Sequence, residues 1–205
     1  MGHGPEGNPL FFEERARHKG YSLIAGIDEA GRGPLAGPVV AAAVILPRDI
    51  ELPGVRDSKK MSPGAREKAF PLILRRALSC GVGTVSNKDI DEINILQASR
   101  EAMRRALLSL PMKPQFLLVD GINTVPVPLP QECIKKGDLL SLSISAASVL
   151  AKVYRDRIMT SCHRDYPLYG FDRHKGYGTR RHLEALRRYG PCPIHRRTFK
   201  RVRGD

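Results

Sequence analysis

The sequence lacks any apolar run that approaches the roughly 18 residues needed to cross a bilayer. Its longest apolar run, residues 38–47, is too short and too rich in β-branched residues, so it predicts a buried strand. The N-terminus has no basic segment followed by an apolar one, and no secretory signal is therefore expected. These absences argue against a membrane protein and predict a location in the cytoplasm.

Cysteine is also scarce. The chain has four cysteines, and no two of them have the CxxC spacing that is typical of a zinc site. In a protein without an export signal, such cysteines are expected to stay reduced. The cysteine pattern therefore predicts neither a disulfide framework nor a structural metal.

Acidic residues are outnumbered by basic ones. The chain has 21 Asp and Glu against 34 Lys and Arg, which gives a formal net charge of +13. A basic excess of this size favours a polyanionic partner. The charge alone does not distinguish DNA from RNA, or either from acidic lipid, and a basic surface without such a partner also explains it.

What is present is a series of apolar segments separated by polar turns, over a length of 205 residues that suits one domain. Runs of β propensity predict strands at 23–28, 39–46, 80–86 and 116–120, the first two joined as a hairpin. Helical spacing predicts helices at 63–78, 95–110, 141–159 and 179–189. The pattern indicates an α/β fold at 21–205 with a helical, basic C-terminal part, a loop at 166–179, and a polar N-terminal tail at 1–20 that leads into a short helix.

Two of the predicted strands have acidic residues at or near their ends. Asp28 and Glu29 follow the first strand, Asp120 ends the last one, and Asp138 precedes the long helix. Clustered carboxylates repel one another unless a cation lies among them or some are protonated. Such oxygen ligands suit Mg²⁺ or Mn²⁺ better than zinc, and two such ions can drive phosphodiester hydrolysis. Taken singly, each acid is equally well explained as a turn residue or a helix cap.

The segment at 28–38 reads DEAGRGPLAGP and resembles the signature of the type 2 ribonucleases H. Further motifs of that family follow in the same order: DSKK at 57–60, EINI at 92–95, LVDG at 118–121, KGD at 136–138, SAAS at 145–148, AKV at 151–153, RD at 155–156, YGF at 169–171 and HKGY at 174–177. The resemblance extends from about residue 22 to residue 199, which is nearly the whole chain.

The resemblance implies a ribonuclease H-like fold, with a mixed β-sheet flanked by helices and a helical C-terminal part. It implies a catalytic, metal-binding quartet of Asp28, Glu29, Asp120 and Asp138 that uses Mn²⁺ or Mg²⁺. The expected activity is hydrolysis of the RNA strand of RNA–DNA hybrids, and nicking of duplex DNA on the 5′ side of a single embedded ribonucleotide. The products would carry a 3′-hydroxyl and a 5′-phosphate. We expect a monomer with a role in ribonucleotide excision repair.

The resemblance also assigns substrate contacts to Gly31, Arg32, Gly33 and Tyr177. A 2′-hydroxyl is the general mark that distinguishes RNA from DNA at one nucleotide, and glycines let the main chain approach a sugar closely. Arg32 is suited to hold a phosphate with its guanidinium fork, and Tyr177 to place its ring on a deoxyribose. Lys60 is interpreted as a further phosphate contact, although a solvated lysine is an equal alternative.

Two other polar residues near these motifs are given structural roles. His174 lies in a predicted loop, where a histidine is more often structural or phosphate-binding than catalytic. Asp156 follows a basic residue within the long helix, which predicts an ion pair in that helix. Neither residue is assigned to the reaction.

Three other functions would account for parts of these patterns. Another metal nuclease of the same broad fold, such as a Holliday-junction resolvase or an integrase-like enzyme, also clusters acids on a sheet. A basic RNA-binding protein without activity explains the charge but leaves the acidic quartet without a purpose. A triphosphate site at 31–37 is rejected, because the segment has neither a Walker lysine-serine ending nor the GxGxxG spacing.

Overall fold

The computed structural model describes residues 7–55, 58 and 60–204. The strands are β1 Ile24–Ala30, β2 Val39–Ile45, β3 Ser79–Val85, β4 Phe116–Asp120 and β5 Gln131–Ile134. The helices are α1 Phe11–His18, α2 Pro63–Arg76, α3 Asn87–Leu108, α4 Gly137–Leu140, α5 Leu142–Asp165, α6 Phe171–His174, α7 Arg180–Tyr189 and α8 Lys200–Arg203, with a 3-10 turn at Pro167–Tyr169. Asp57 and Lys59 of the DSKK motif lie outside the described residues.

The five strands form one mixed sheet in the order β3-β2-β1-β4-β5. β1, β2 and β3 pair antiparallel, which confirms the predicted hairpin, whereas β4 runs parallel to β1 and β5 runs parallel to β4. A parallel pair needs a long crossover, and the chain reaches β4 through α3. β1 therefore lies at the centre of the sheet with a strand on each side.

Both faces of the sheet are covered by helices, so the central strands are apolar on both sides. On one face Ile27 and Ala41 pack in a cluster with Ala102 of α3. On the other face Ala42 packs in a cluster with α2 and with Leu150 of α5. Helix α5 approaches β1 closely at Gly26, where a Cβ would lie 2.2 Å from the carbonyl carbon of Ser143. This contact fixes the long helix against the strand that carries the first two acids.

Helix boundaries follow the capping signals in the sequence. The Ser62 side chain accepts a hydrogen bond from the Ala65 N–H at the start of α2, and Thr179 accepts one from the His182 N–H at the start of α7. Gly190 ends α7 as predicted. No helix in the described part of the chain is long and apolar enough to span a membrane.

Helix α3 differs from the prediction at its N-terminus. It begins at Asn87, eight residues before the expected start at 95, because Ser86 and Asp89 form a reciprocal capping box. Asn94 then interrupts the helix with a left-handed φ of 65°, and its side chain accepts hydrogen bonds from the next turn. Apolar spacing becomes regular only after this break, so periodicity alone missed the first turns.

Two other sequence predictions need correction. The stretch 166–179, predicted as a loop, contains the 3-10 turn and the helix α6, which pack into a small aromatic cluster with α7. Strand β5 was missed, since it has only four residues and just Ile134 is fully buried. Short elements with mixed burial carry too little periodicity to be recognised.

Helix α1 packs on the domain rather than apart from it. Glu13 is buried, and its Oε1 accepts hydrogen bonds from the Ser141 hydroxyl at 2.6 Å and from the N–H and hydroxyl of Ser143 at 2.9 and 2.6 Å. The Leu142 N–H donates to the Pro9 carbonyl at 2.8 Å. The N-terminal tail predicted at 1–20 therefore contains a helix that holds the start of α5.

Candidate active site

Two acidic residues lie side by side at the ends of adjacent parallel strands. The register pairs Ile27 of β1 with Val119 of β4, so Asp28 and Asp120 are the next residues along the two strands. Because the strands run parallel and in register, both side chains point to the face covered by α5. Asp28 is only 2% exposed, so its side chain is almost completely shielded from solvent.

The third acid, Asp138, reaches the same place from a helix. Lys136 adopts a left-handed conformation that turns the chain into α4, and the Gly137 N–H donates a 2.7 Å hydrogen bond to Asp120 Oδ1. The Ser145 hydroxyl donates to the Asp138 carbonyl oxygen at 2.8 Å and so ties this corner to the first turn of α5. Asp138 is buried and is held from both sides.

These three acids form a group with the composition of a hard-cation site. One carboxylate oxygen from each of Asp28, Asp120 and Asp138 lies within 4.8 Å of the others. Among the residues that the structure describes, no other group of His, Cys, Asp and Glu meets this criterion. Three converging carboxylates fit Mg²⁺ or Mn²⁺, which prefer oxygen ligands, and two of the three are buried.

Glu29 stands apart from this cluster. It follows Asp28 on β1, so its side chain lies on the opposite face of the sheet, the one covered by α3. Its Oε1 accepts a 3.2 Å hydrogen bond from Nη1 of Arg32. Glu29, Arg32, Asp120 and Ser99 of α3 line a cavity of about 200 Å³. Glu29 therefore lines the same cavity as Asp120 and forms an ion pair with Arg32.

The glycine-rich segment and the distant tyrosine meet beside this cavity. A Cβ at Gly33 would lie 3.7 Å from Cε1 of Tyr177, so the ring packs next to the segment at 31–33. The Tyr177 side chain is not a core residue, since the residue is 44% exposed. Lys152 Nζ lies 5.9 Å from the centre of the ring. The structure thus brings together residues that the sequence separates by more than 140 positions.

Lys60 is exposed and lies near two buried residues, Ser58 and Met61, that make hydrogen bonds within the fold. The Ser58 hydroxyl is 2.8 Å from the Ser148 hydroxyl on α5, and the Arg66 guanidinium donates to the carbonyls of Ser58 and Met61 at 2.7 and 2.6 Å. Lys60 is at the surface, and its contact with a phosphate stays a prediction.

The geometry agrees with structural roles for His174 and Asp156. His174 Nε2 is 2.7 Å from the Tyr169 carbonyl oxygen, and its Nδ1 accepts from the Gly176 N–H at 3.2 Å. Burial is the main reason that the pKa of His174 is lowered. Asp156 accepts a 2.7 Å hydrogen bond from Lys152 one turn earlier in α5. Both nitrogens of His174 are occupied by the main chain.

Two buried arginines next to the candidate site were not singled out from the sequence. Arg155 and Arg196 are both 0% exposed, and both donate to main-chain carbonyls of the segment 31–38. Arginine is almost always at the surface, so a basic stretch such as 195–203 is interpreted as solvent-exposed. Only the RD pair at 155–156, shared with the resembling family, gave a signal for one of them.

Comparison with known proteins gives a consistent result. The family model for ribonuclease HII matches residues 25–202. A ribonuclease HII of Syntrophotalea carbinolica is 59% identical over 196 residues, covering 96% of this chain and 94% of the relative. One from Geobacter sulfurreducens is 57% identical, covering 98% and 93%. The crystal structure of a ribonuclease H2 from Pyrococcus horikoshii OT3 superposes with a TM-score of 0.76 at 32% identity, covering 89% of this chain and 96% of that one.

Proposed function

Because this chain belongs to the ribonuclease HII family, and is therefore an endoribonuclease acting on RNA–DNA hybrids, we propose that it also nicks duplex DNA at single embedded ribonucleotides with the help of Mg²⁺ or Mn²⁺. The observation that carries this proposal is the convergence of Asp28, Asp120 and Asp138 within 4.8 Å at the edge of the sheet. Three carboxylates so close together are electrostatically unfavourable without a cation or protons between them.

The three clustered aspartates and Glu29 would have different roles in the reaction. Asp28, Asp120 and Asp138 would hold a divalent cation, which supplies Lewis-acid stabilisation of the negative charge on the phosphate oxygens when it is bound. Glu29 faces the adjoining cavity and is assigned to the same quartet by the family motif. Its position suits it to orient a water molecule for attack on phosphorus.

The expected bond change follows from the products. Water attacks the phosphorus on the 5′ side of a ribonucleotide, the bond from phosphorus to the 3′-oxygen of the preceding nucleotide breaks, and that oxygen takes up a proton. The products are a 3′-hydroxyl and a 5′-phosphate. The 2′-hydroxyl is not consumed in this bond change, and we assign it to recognition.

We assign recognition to the segment 31–33 and to Tyr177. Their proximity supports the assignment, since the exposed ring lies beside Gly33 and the Arg32 side chain is 47% exposed at the mouth of the cavity. The ring would lie against the sugar next to the ribonucleotide, while the backbone of Gly31 and Gly33 would approach the ribose. Lys60 is proposed as a phosphate contact at the surface.

The test is cleavage of three duplexes of the same sequence, mapped to the nucleotide. One contains a single ribonucleotide, one is a continuous RNA–DNA hybrid, and one is all DNA. The proposal predicts a single cut on the 5′ side of the lone ribonucleotide, cuts throughout the hybrid, and none in DNA. Cutting of the all-DNA duplex or of a branched junction would favour a nuclease of another class, and no cutting at all would favour a binding protein.

The cellular setting is proposed on indirect grounds. The four cysteines are free, which suits a reducing compartment such as the cytoplasm. The activity suits ribonucleotide removal from DNA, and we propose that residues 21–205 act as a monomeric catalytic unit. Sedimentation with and without duplex would test the monomer.

A further inference from the structure

Arg196, in the basic C-terminal stretch, is an internal anchor of the glycine-rich segment. Its Nη2 donates to the Gly31 carbonyl at 2.6 Å, its Nη1 to the Arg32 carbonyl at 3.0 Å, and its Nε to the Gly37 carbonyl at 3.0 Å. The residue is 0% exposed. One guanidinium therefore holds both ends of the segment 31–37 from beneath.

These hydrogen bonds decide which way the backbone of the segment faces. In a trans peptide unit the C=O and the N–H point in opposite directions. The carbonyls of Gly31 and Arg32 point inward to Arg196, so the N–H groups of Arg32 and Gly33 point away from it. Arg32 and Gly33 are exposed, and the two N–H groups therefore face the surface on which a substrate would lie. Successive N–H donors of this kind suit an oxygen of a ribose or a phosphate.

Arg155 of α5 completes the anchor and connects it to the tyrosine. It donates to the carbonyls of Ala36 and Pro38 at 3.0 Å each, and to the Lys175 carbonyl at 2.9 Å, two residues before Tyr177. The Leu35 N–H donates to the Gly176 carbonyl at 2.8 Å, which joins the segment 31–37 to the residue before Tyr177. The two proposed recognition elements therefore share one buried support.

The guanidinium of Arg196 is charged, and the segment 31–37 that it contacts begins at a glycine with a positive φ. Burial, and next the positive charge of Arg155, lower the pKa of Arg196 to about 9, so its guanidinium is still charged at neutral pH. Gly31 has a φ of 104°, which side-chain-bearing residues rarely adopt, and a Cβ there would lie 2.1 Å from Nε of Arg155. A glycine in this conformation has many alternatives once its carbonyl is released.

We propose that Arg196 is a positioning residue that sets selectivity for a single ribonucleotide by holding the N–H groups of Arg32 and Gly33 toward the substrate. The inference rests on the proposed function of the segment 31–33 as the ribose-reading element. A lone ribonucleotide offers one 2′-hydroxyl in one register, whereas a continuous hybrid offers a 2′-hydroxyl at every position. Loosening the segment should therefore impair cleavage at the lone ribonucleotide more than cleavage of the hybrid.

The experiment compares wild type with Arg196→Lys and Arg196→Gln. Lysine keeps the charge but has no fork for three carbonyls, and glutamine removes the charge. The readout is the ratio of the cleavage rates on the single-ribonucleotide duplex and the continuous hybrid, because a ratio is independent of the folded fraction. Small displacements at a reacting centre reduce rates by up to about 100-fold, so we expect the ratio to fall at least about tenfold. Amide hydrogen exchange should become faster in both variants at Leu35 and Gly37, whose N–H groups donate to the carbonyls of Gly176 and Ile194 at 2.8 Å each.

Tyr169→Phe is the matched control. The Tyr169 hydroxyl donates to the Gly190 carbonyl at 2.8 Å in the same C-terminal part of the fold, and phenylalanine keeps the ring that packs in a cluster with Ala36. This variant should lower the melting temperature and leave the ratio and the exchange at Leu35 and Gly37 unchanged. It separates a loss of local orientation from a general loss of stability.

The outcomes are distinguishable. An unchanged ratio in folded Arg196→Lys, or unchanged exchange at Leu35 and Gly37, overturns the inference and leaves Arg196 a stability residue. If Arg196→Gln does not fold, Arg196→Lys decides alone. If wild type fails to cut at the lone ribonucleotide, the proposed function itself is overturned, and the selectivity role with it.

Discussion

The main-chain N–H of Gly137 donates a 2.7 Å hydrogen bond to Oδ1 of Asp120. This bond joins the carboxylate at the end of β4 to the first residue of the helix that carries Asp138. It leaves the other oxygen of Asp120 outside this contact. The arrangement explains how a strand end and a helix start, 17 residues apart, contribute to one group of carboxylates that could hold a cation.

Tyr177→Ala should reduce cleavage at a single ribonucleotide by about 100-fold while the melting temperature stays nearly constant. The ring is 44% exposed, so its removal takes little packing from the core. A misplaced scissile phosphate, by contrast, reduces the rate by about this factor. Tyr177→Phe separates the ring from the hydroxyl. An equal loss on both single-ribonucleotide and hybrid substrates, together with a lower melting temperature, would remove Tyr177 from substrate recognition.

Glu13→Ala should destabilise the fold by about 3 kcal/mol, because a buried carboxylate that accepts three hydrogen bonds at the start of α5 is lost. Glu14→Ala is the control, since Glu14 is exposed and its carboxylate accepts from Asn8, and we expect a change below about 0.5 kcal/mol. Urea unfolding of both variants measures the difference. Equal effects would mean that the contact of α1 with α5 adds nothing to stability.

We expect the stability of the fold to decrease as the pH is lowered, because two buried histidines then take up protons. His182 Nε2 lies 3.0 Å from His195 Nε2, and burial lowers the pKa of each to about 4. A folded-state pKa below the ordinary value of 6.5 means that the unfolded chain binds the protons first. This stability is therefore present above pH 6.5 and is lost as pH falls toward 4, at about 1.4 kcal/mol per pKa unit for each histidine.

His195→Gln tests this dependence. The variant should flatten the slope of unfolding free energy against pH between 6.5 and 4, whatever its stability at pH 7.5. His18→Gln removes an exposed histidine and should leave the slope unchanged. Subtracting the unfolding free energy of the variant from that of wild type at each pH removes the contribution of carboxylates that titrate in the same range. A slope in His195→Gln equal to that of wild type would contradict the assignment.

The net charge of +13 predicts binding that weakens steeply with salt. Each phosphate contact releases counterions, so log K falls linearly with log salt, with a slope set by the number of contacts. Most of this dependence should be the same for DNA and for RNA–DNA duplexes. Fluorescence anisotropy between 50 and 300 mM salt, as approximate limits, measures it. A flat plot would mean that the basic surface is not the binding face.

Much of the fold was predictable because its strongest signals are local. Apolar runs at 23–28 and 116–120 predicted β1 and β4, and the acids at their ends predicted the site. Ser62 and Thr179 marked helix starts through their capping chemistry. The resemblance supplied the mixed topology, which local patterns do not contain.

What the sequence did not reveal depends on contacts between distant segments. Nothing local indicates that Arg196 is buried while Arg197, Lys200 and Arg201 of the same stretch are exposed, because its partners lie about 160 residues earlier. Glu13 is likewise a polar helix residue in sequence and a buried hydrogen-bond acceptor in the fold. The side chains of Asp28 and Glu29 point to opposite faces of the sheet because side chains alternate along a strand. The sequence alone does not show that different helices cover these two faces.

The most direct test of the account uses Asp120→Asn in a metal-dependent cleavage assay. Asparagine keeps the shape and an Oδ1 that still accepts from the Gly137 N–H, so the fold should be retained while one negative charge is removed. Asp49→Asn, at an exposed position, is the matched control. The duplex with one ribonucleotide is incubated with Mg²⁺ or Mn²⁺ after chelator treatment, and the melting temperature is measured in parallel.

The account predicts that wild type and Asp49→Asn lose cleavage with the chelator and regain it with either metal. Folded Asp120→Asn should remain slower by orders of magnitude at every metal concentration. A folded Asp120→Asn that cuts at a near-normal rate, or wild-type cleavage that persists in excess chelator, would contradict a catalytic cation site at Asp28, Asp120 and Asp138.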